Sequence, residues 1–188
     1  MSKGLLFIIS APAGTGKTTL VQMLTEEFPR ATRSVTYTTR EPRVGEKEGV
    51  DYFFLTEQAF QEKIKAGDFL EHAEVFGFHY GTDRAWIEKH LRAGQHVILV
   101  IDTQGADIVK KKIKSISIFI SPPSLEELKK RLLKRKTESP ESLEKRLEWA
   151  QHELEMISHY DYHIVNDLLA DAYRALKSIL IAEEHRVR

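Results

Sequence analysis

A run of small residues ending in one lysine carries the clearest chemistry: Ser10-Ala11-Pro12-Ala13-Gly14-Thr15-Gly16-Lys17-Thr18-Thr19. Small residues let successive backbone N–H groups turn inward around a phosphate, and the N-terminus of a following helix adds partial positive charge. Lys17 can reach the outer phosphates of a nucleoside triphosphate, and the Thr18 hydroxyl can bind Mg²⁺. An ordinary strand–turn–helix connection is the alternative. Because the run follows an apolar segment and opens a helical one, we expect a nucleoside triphosphate site.

One position of this loop departs from the usual pattern, which begins with glycine. Ala11 stands there instead. Alanine is tolerated wherever the backbone has a negative φ, since only positive φ values favour glycine strongly. We therefore expect the loop to form with Ala11 at negative φ.

A second candidate phosphate site lies in the run Thr38-Thr39-Arg40-Glu41-Pro42-Arg43. Arg40 and Arg43 lie on a loop that proline stiffens, so their planar groups of N–H donors can converge on one phosphate dianion. Tyr52 and Tyr80 could add hydroxyl donors. The alternative is a solvated pair of surface arginines, but the nearby phosphate-binding loop favours the functional interpretation.

The segments that would position these residues alternate between strand and helix. Apolar runs without alternation predict buried parallel strands, at Leu5–Ile9, Val97–Ile101, Ile116–Ile120 and the shorter Tyr162–Val165. Helical periodicity predicts helices at Lys17–Phe28, Ala106–Ile113 and Leu169–Ala182. This order predicts an α/β fold, with a parallel sheet between helical layers and right-handed crossovers.

Two segments interrupt that alternation. Residues 34–81 hold short β-rich pieces around one helix, Thr56–Ala66, and predict an inserted, mostly antiparallel lobe. One of these β-rich pieces is Phe69–Phe78. Residues 124–158 predict a helical hairpin. Ser124 and Glu127 form a capping box for its first helix, and the second helix has Ser139 as N-cap and Pro140 as its first residue.

Length and composition narrow the class of protein. The 188 residues fit one domain of about 100–200 residues with inserted lobes. The absence of cysteine excludes disulfides, thiolate metal sites and a cysteine nucleophile. With 28 basic and 28 acidic residues, the chain is not expected to be a dedicated nucleic-acid or membrane-surface binder.

The N-terminus imitates a secretory signal, because Lys3, an apolar run and Ala11-Pro12-Ala13 follow one another. The apolar run is shorter than the roughly 7–15 residues of such a signal. No apolar run approaches the roughly 20 residues that a membrane-spanning helix needs. We therefore expect a cytoplasmic protein.

Six motifs in order resemble the guanylate kinase family: the two phosphate segments above, Phe69–Ala73, Tyr80–Thr82, Ile101–Gly105 and Tyr162–Asp167. The resemblance runs from about Gly4 to about Ile181. It implies phosphoryl transfer from ATP to GMP with Mg²⁺, giving ADP and GDP. The implied architecture is a three-layer P-loop kinase core (1–33, 82–123 and 159–188), a GMP-binding lobe (34–81) and a helical lid (124–158). The sequence leaves open whether the chain is a monomer or a homo-oligomer.

The resemblance also implies roles for individual residues. GMP would be bound by Thr36, Arg40, Arg43, Tyr52, Glu71, Tyr80, Thr82 and Asp102. ATP would be bound by Ala11, Pro12, Ala13, Gly14, Thr15, Gly16, Lys17, Thr18, Thr19 and Asn166. The charge of the transition state would be neutralised by Lys17, Arg131, Arg135 and Arg146. Thr18 would bind the metal.

The chemistry of guanine agrees with two of these roles. Guanine presents adjacent N1–H and N2–H₂ donors, whereas adenine presents an acceptor at N1. Carboxylates only accept, so Glu71 and Asp102 would select guanine, and unpaired buried groups support discrimination of about 10⁴–10⁵. The alternatives are an outward-facing strand position for Glu71 and a helix N-cap for Asp102.

No general base is expected in such a reaction. The second pKa of a phosphate monoester is about 6, so the GMP phosphate is already a largely dianionic nucleophile at neutral pH. Catalysis then consists of positioning, charge neutralisation and exclusion of water by a closing lid. Arg131 and Arg135 share one helical face, whereas Lys110–Lys112 are interpreted as a solvated face.

Two residues differ from the family pattern, and two other functions are compatible with parts of the sequence. Val100 stands where the family commonly has a second aspartate, so Mg²⁺ affinity can differ from the family norm, while Thr36 keeps the hydroxyl of the usual serine. One rival is a catalytically inactive guanylate-kinase-like binding module, but the intact Gly16-Lys17-Thr18 argues against it. The other is a kinase with another acceptor, such as a sugar phosphate, against which Glu71 and Asp102 argue.

Overall fold

The computed structural model describes residues 3–134 and 140–187. The strands within these ranges are β1 (Leu6–Ser10), β2 (Ala31–Arg33), β3 (Thr36–Thr38), β4 (Tyr52–Phe54), β5 (Phe69–Val75), β6 (Phe78–Asp83), β7 (His96–Val100), β8 (Ile116–Ser121) and β9 (Tyr162–Val165). The α-helices are α1 (Lys17–Glu27), α2 (Glu57–Ala66), α3 (Arg84–Arg92), α4 (Thr103–Lys112), α5 (Leu125–Lys134), α6 (Pro140–Glu155) and α7 (Leu169–Glu184). Of the helices in the described ranges, none is long and apolar enough to cross a membrane.

The chain forms two compact units, one made of Met1–Leu6 with Arg30–Ser115, the other of Phe7–Pro29 with Ile116–Arg188. In the second unit β8 pairs in parallel with both β1 and β9. Every residue of β1 is buried, as the apolar run predicts. Helices α1 and α7 pack together in this unit, and Leu128 and Leu132 of α5 pack with Leu143 and Ala150 of α6.

The first unit contains a parallel pair, β2 with β7, and a four-stranded sheet in the order β4-β3-β6-β5. Within that sheet β3 pairs in parallel with β4, while β6 runs antiparallel to both β3 and β5. The α/β fold class with a parallel sheet and a mostly antiparallel insertion is confirmed. The division into core, lobe and lid stays a prediction.

The predicted β-rich piece Phe69–Phe78 is divided by a tight turn. Phe76 and Gly77 have φ values of 53° and 78°, which reverse the chain between β5 and β6. Such paired positive φ values match the right-handed twist of a hairpin. The apolar stretch is therefore two antiparallel strands.

Two helices differ from their sequence prediction. Helix α4 begins at Thr103 rather than Ala106, because the side chain of Asp102 accepts a hydrogen bond from the Gly105 N–H at 2.8 Å and caps it. Helix α3 was not predicted. It is only nine residues long and buries Ile87 and Leu91, so its apolar pattern extends over little more than two turns.

Candidate functional site

The phosphate-binding loop lies between β1 and α1, as the sequence predicts. Gly14 and Gly16 have φ values of 91° and 90°, a region that disfavours any side chain. A Cβ on Gly16 would also lie 2.7 Å from Asn166 Nδ2. Among the described residues, Phe76 is the only non-glycine with a positive φ, so Ala11 is accommodated in the way we expected.

Bonds within the loop fix its path. The Thr15 N–H donates to the Pro12 carbonyl at 3.3 Å, and the Thr15 hydroxyl donates to the same oxygen. Lys17 Nζ donates to the Ala11 carbonyl at 3.1 Å, which brings the ammonium group back over the loop. Gly16, at the N-cap position of α1, supplies no side-chain cap. This N-terminus therefore offers backbone N–H groups to an anion.

Asn166, which is far from the phosphate loop in sequence, binds the loop through its side chain. Its side chain is buried, and its Nδ2 donates to the Thr15 carbonyl at 2.6 Å. The backbone carbonyl of Asn166 accepts a hydrogen bond from Arg131 Nη1 at 2.9 Å. The resemblance suggests only an adenine contact for Asn166. Sequence reasoning missed the loop-holding contact, since it joins residues far apart in the chain.

The three arginines that were predicted for the lid differ in where the structure places them. Arg131 lies half-buried on α5, where Nε contacts Glu127 Oε1 at 3.3 Å and the guanidinium also reaches the Asp167 carbonyl. Arg146 lies half-buried on α6. Arg135 lies outside the described residues. The structure therefore brings Arg131 to the segment that anchors the phosphate loop.

Thr18 is the residue that was predicted to bind the metal. Thr18 lies exposed in the first turn of α1, where its hydroxyl can serve as an oxygen ligand. In residues 3–134 and 140–187 there is no cluster of three or more histidine, cysteine, aspartate or glutamate residues that could hold a metal. A Mg²⁺ ion held at Thr18 would also bind nucleotide phosphates and water, as Mg²⁺ commonly does.

The predicted acceptor-phosphate residues form a cluster around Arg40. The Arg40 guanidinium lies 5.2 Å from the centre of the Tyr52 ring, and Tyr52 and Tyr80 meet edge to face at 6.1 Å. Arg40 Nη2 donates to both carboxylate oxygens of Glu46, at 2.8 and 2.9 Å. The Arg43 N–H donates to Glu46 Oε2 at 2.8 Å, while its side chain is exposed.

Glu46 is a residue that sequence reasoning missed. It follows Arg43 by three residues and Arg40 by six, so an acid soon after two phosphate-binding arginines is the signal that could have found it. Its carboxylate contacts the guanidinium of Arg40 and the backbone of Arg43. It therefore fixes the loop on which both predicted phosphate ligands lie.

The environment of this cluster keeps both Arg40 and Tyr52 protonated. Burial alone would lower the pKa of Arg40, but the hydrogen bond and negative charge of Glu46 outweigh it, and the pKa is raised. Burial, reinforced by Tyr80, raises the pKa of Tyr52. At neutral pH the cluster therefore offers a guanidinium cation and a neutral phenol, both of which donate hydrogen bonds.

Glu71 points into the protein. Its side chain is 3% exposed, and its Oε1 accepts a hydrogen bond from the hydroxyl of the buried Thr82. The outward-facing alternative is therefore wrong. A bulge at Leu70 gives β5 one residue more than β6 at this point, and bulges redirect side chains. The bulge explains how Leu70 and Glu71, adjacent in sequence, are both buried.

Burial changes the ionisation of this acid. Burial raises the pKa of Glu71 to about 7, and the negative charge of Asp102 adds to this rise. The hydrogen bond from Thr82 and the positive charge of Lys112 act in the opposite direction. Lys112 Nζ donates to the Leu70 carbonyl at 2.7 Å. Lys112 was predicted to belong to a solvated face and is exposed, but its ammonium group is also hydrogen-bonded at the bulge.

Asp102 and Thr36 complete the predicted base-binding set. The N-cap interpretation of Asp102 is confirmed, since Oδ1 accepts from Gly105. A carboxylate has about four lone-pair sites, so capping leaves acceptor capacity for a ligand. Thr36 is buried on β3, the strand next to the one that carries Thr82.

Known proteins resemble this chain along its whole length. The guanylate kinase family matches residues 3–183. The chain is 57% identical to a guanylate kinase of Protochlamydia amoebophila, with 98% of this chain and 94% of that protein covered. It is 50% identical to a guanylate kinase of Chlamydia felis, with 96% and 89% covered.

A solved structure agrees with these sequences. The crystal structure of guanylate kinase from Anaplasma phagocytophilum superposes with a TM-score of 0.84 at 36% identity, covering 99% of this chain and 89% of that one. The family match, the relatives' sequences and the solved structure lead to one conclusion: this chain belongs to the guanylate kinase family.

Proposed function

We propose that this chain transfers a phosphoryl group from ATP to GMP, giving ADP and GDP, through the residues described above. The single observation that carries the assignment of the acceptor is the carboxylate of Glu71, 3% exposed in a unit that also holds Arg40. A buried acid is unfavourable unless partners or a ligand satisfy it. Guanine supplies the adjacent N–H donors that such a carboxylate lacks.

On the acceptor side, each residue has a separate task. Arg40 and Arg43 bind the phosphate dianion of GMP, with Tyr52 and Tyr80 as neutral donors. Glu71 and Asp102 accept from the N1–H and N2–H₂ groups of the base. Thr36 and Thr82 contact the O6 and N7 side.

On the donor side, the loop at residues 11–19 binds the triphosphate of ATP. Backbone N–H groups and the α1 N-terminus surround the phosphates, and Lys17 leaves the Ala11 carbonyl to follow the transferred group. Arg131, Arg135 and Arg146 add positive charge around it. Asn166 keeps the loop in shape and lies near the adenine.

Mg²⁺ fits this site, because Thr18 supplies the oxygen ligand that a hard cation prefers. The bound ion would neutralise phosphate charge and align the phosphates. The protein groups do the rest by positioning and charge. No residue needs to remove a proton, since the GMP phosphate is already ionised near neutral pH.

The test is ADP release from ATP and Mg²⁺ with GMP, AMP, CMP and UMP offered separately. We expect turnover with GMP alone. Turnover with another nucleotide would keep the kinase and discard the guanine pocket. If none of the four gives ADP release and the protein still binds ATP, the acceptor is a different molecule. If there is neither ADP release nor ATP binding, the inactive binding module is favoured.

A further inference from the structure

Gly105 occupies a position that does not need glycine for its backbone. It is buried in the first turn of α4, and its φ does not lie in the left-handed region where glycine is favoured. Glycine in a helix lowers its stability relative to alanine. Helix geometry alone would therefore favour alanine at this position.

The reason for glycine lies in one neighbouring side chain. A Cβ at position 105 would lie 2.8 Å from Glu71 Oε2 and 3.2 Å from Glu71 Cδ. The next atom, Ile101 Cβ, would be at an ordinary 3.5 Å. The Glu71 carboxylate alone thus occupies the space that a methyl group would take.

Glu71 is also held on its other oxygen. Its Oε1 accepts from the Thr82 hydroxyl, so a push on Oε2 must be absorbed by moving the whole carboxylate or breaking that bond. Gly105 meets the second predicted guanine ligand as well, because its N–H donates to Asp102 Oδ1 at 2.8 Å. Gly105 therefore leaves space for one of the two acids and binds the other.

We infer that Gly105 is a positioning residue of the guanine pocket: its missing side chain leaves the space in which the Glu71 carboxylate lies, and so sets the selectivity for the guanine base. The inference rests on the proposed function, since it concerns how that same pocket recognises GMP. Gly105 itself contacts no reacting atom in this account. It acts through the placement of Glu71.

Gly105→Ala tests this directly. The added methyl group displaces Glu71, so we expect the KM for GMP to rise by about tenfold, the loss of roughly one hydrogen bond to a charged group. The KM for ATP stays within about twofold, since the phosphate loop is unaffected. The melting temperature should change little, because the higher helix propensity of alanine offsets part of the cost of displacing Glu71. Lys111→Ala, an exposed change on the same helix, is the matched control.

A double-mutant cycle separates placement of Glu71 from any other role. Glu71→Asp shortens the side chain by one methylene and withdraws the carboxylate from position 105. In that background we expect Gly105→Ala to change the KM for GMP by no more than about twofold. An equal penalty in both backgrounds would show that Gly105 acts elsewhere, and an unchanged KM in the single variant would show that Glu71 is not constrained.

Whether the variants fold tests the inference independently of the kinetic measurements. If Gly105→Ala alone does not fold, the combination with Glu71→Ala removes the clashing atoms and must fold. Failure of that combination would overturn the inference. The proposed function is judged separately, since its failure would appear as the absence of GMP phosphorylation in the unaltered protein.

Discussion

The phosphate loop and the proposed guanine pocket would recognise their ligands by opposite means. The loop uses backbone N–H groups, small residues and one lysine, so that its polar groups belong to the main chain of a strand–turn–helix unit. The pocket buries the Glu71 carboxylate and raises its pKa to about 7. Phosphate binding thus comes with the fold, whereas base selectivity requires a buried acid that opposes folding.

Each region also contains a glycine that leaves space for a polar side chain. A Cβ on Gly16 would lie 2.7 Å from Asn166 Nδ2, and one on Gly105 would lie 2.8 Å from Glu71 Oε2. Gly16 has a second reason to be glycine, its φ of 90°, and Gly105 does not. A substitution at Gly16 therefore strains the backbone as well, while one at Gly105 acts on the side chain of Glu71.

The largest effect is expected in the loop. Lys17→Ala removes the cation that we propose follows the transferred phosphoryl group, and we expect kcat to fall by about 10³-fold, as for other charge-stabilising donors. GMP binding, measured by calorimetry, stays within about twofold because the acceptor residues are untouched. Lys111→Ala serves as the control. Turnover near the normal rate in Lys17→Ala would remove the loop from the mechanism.

The next effect is on stability in the pocket. The pKa of Glu71 is about 7 in the folded protein against 4.5 as reference, so the folded state holds its proton more tightly. The stabilisation this gives is present below pH 4.5 and is lost as the pH rises through 7. Glu71→Gln carries no such charge. Above pH 8 its free energy of unfolding should therefore exceed that of the unaltered protein by on the order of 3 kcal/mol.

Urea unfolding of both proteins at about pH 5 and about pH 8.5 measures that difference. We expect the variant to be the more stable protein at the higher pH, with the two proteins converging at the lower one. An equal difference at both pH values would mean that Glu71 does not titrate in this range. The pocket would then not carry the destabilising charge that distinguishes it from the loop.

A smaller effect is expected at the arginine cluster. Glu46→Gln keeps the shape of the side chain but removes the charge that holds Arg40, and the KM for GMP should rise by about three- to tenfold with little change in kcat. Glu41→Gln is the matched control, since only the backbone carbonyl of Glu41 contacts Arg40. Tighter GMP binding in Glu46→Gln would instead mean that Glu46 competes with the phosphate.

The two regions also differ in how far the sequence predicts them. The loop at residues 11–19 is a local pattern, so its position between β1 and α1 could be predicted from adjacent residues. The Asn166 bond to Thr15 joins residues 151 positions apart, and the Lys112 bond to Leu70 joins residues 42 apart. No local pattern encodes such contacts, because they depend on how distant elements pack.

Long-range packing explains the remaining differences as well. The sequence offered both guanine recognition and an exposed strand position for Glu71, and its burial next to the bulge at Leu70 excludes the exposed position. The role of Gly105 depends on the same carboxylate. The motif shared with the guanylate kinase family predicts which residues matter in the pocket, while the physical reason for Gly105 emerges from the packed structure.

The most direct test is to titrate GMP and ATP, each with Mg²⁺, into the unaltered protein and into Glu71→Gln by calorimetry at about pH 8. Replacing the carboxylate by an amide places donors against the N–H groups of guanine, and we expect the GMP affinity to fall by about 100-fold. The ATP affinity should stay within about twofold, because the loop binds phosphates without Glu71. Equal losses for both nucleotides, or no loss for GMP, would contradict the assignment of guanine recognition to this buried carboxylate.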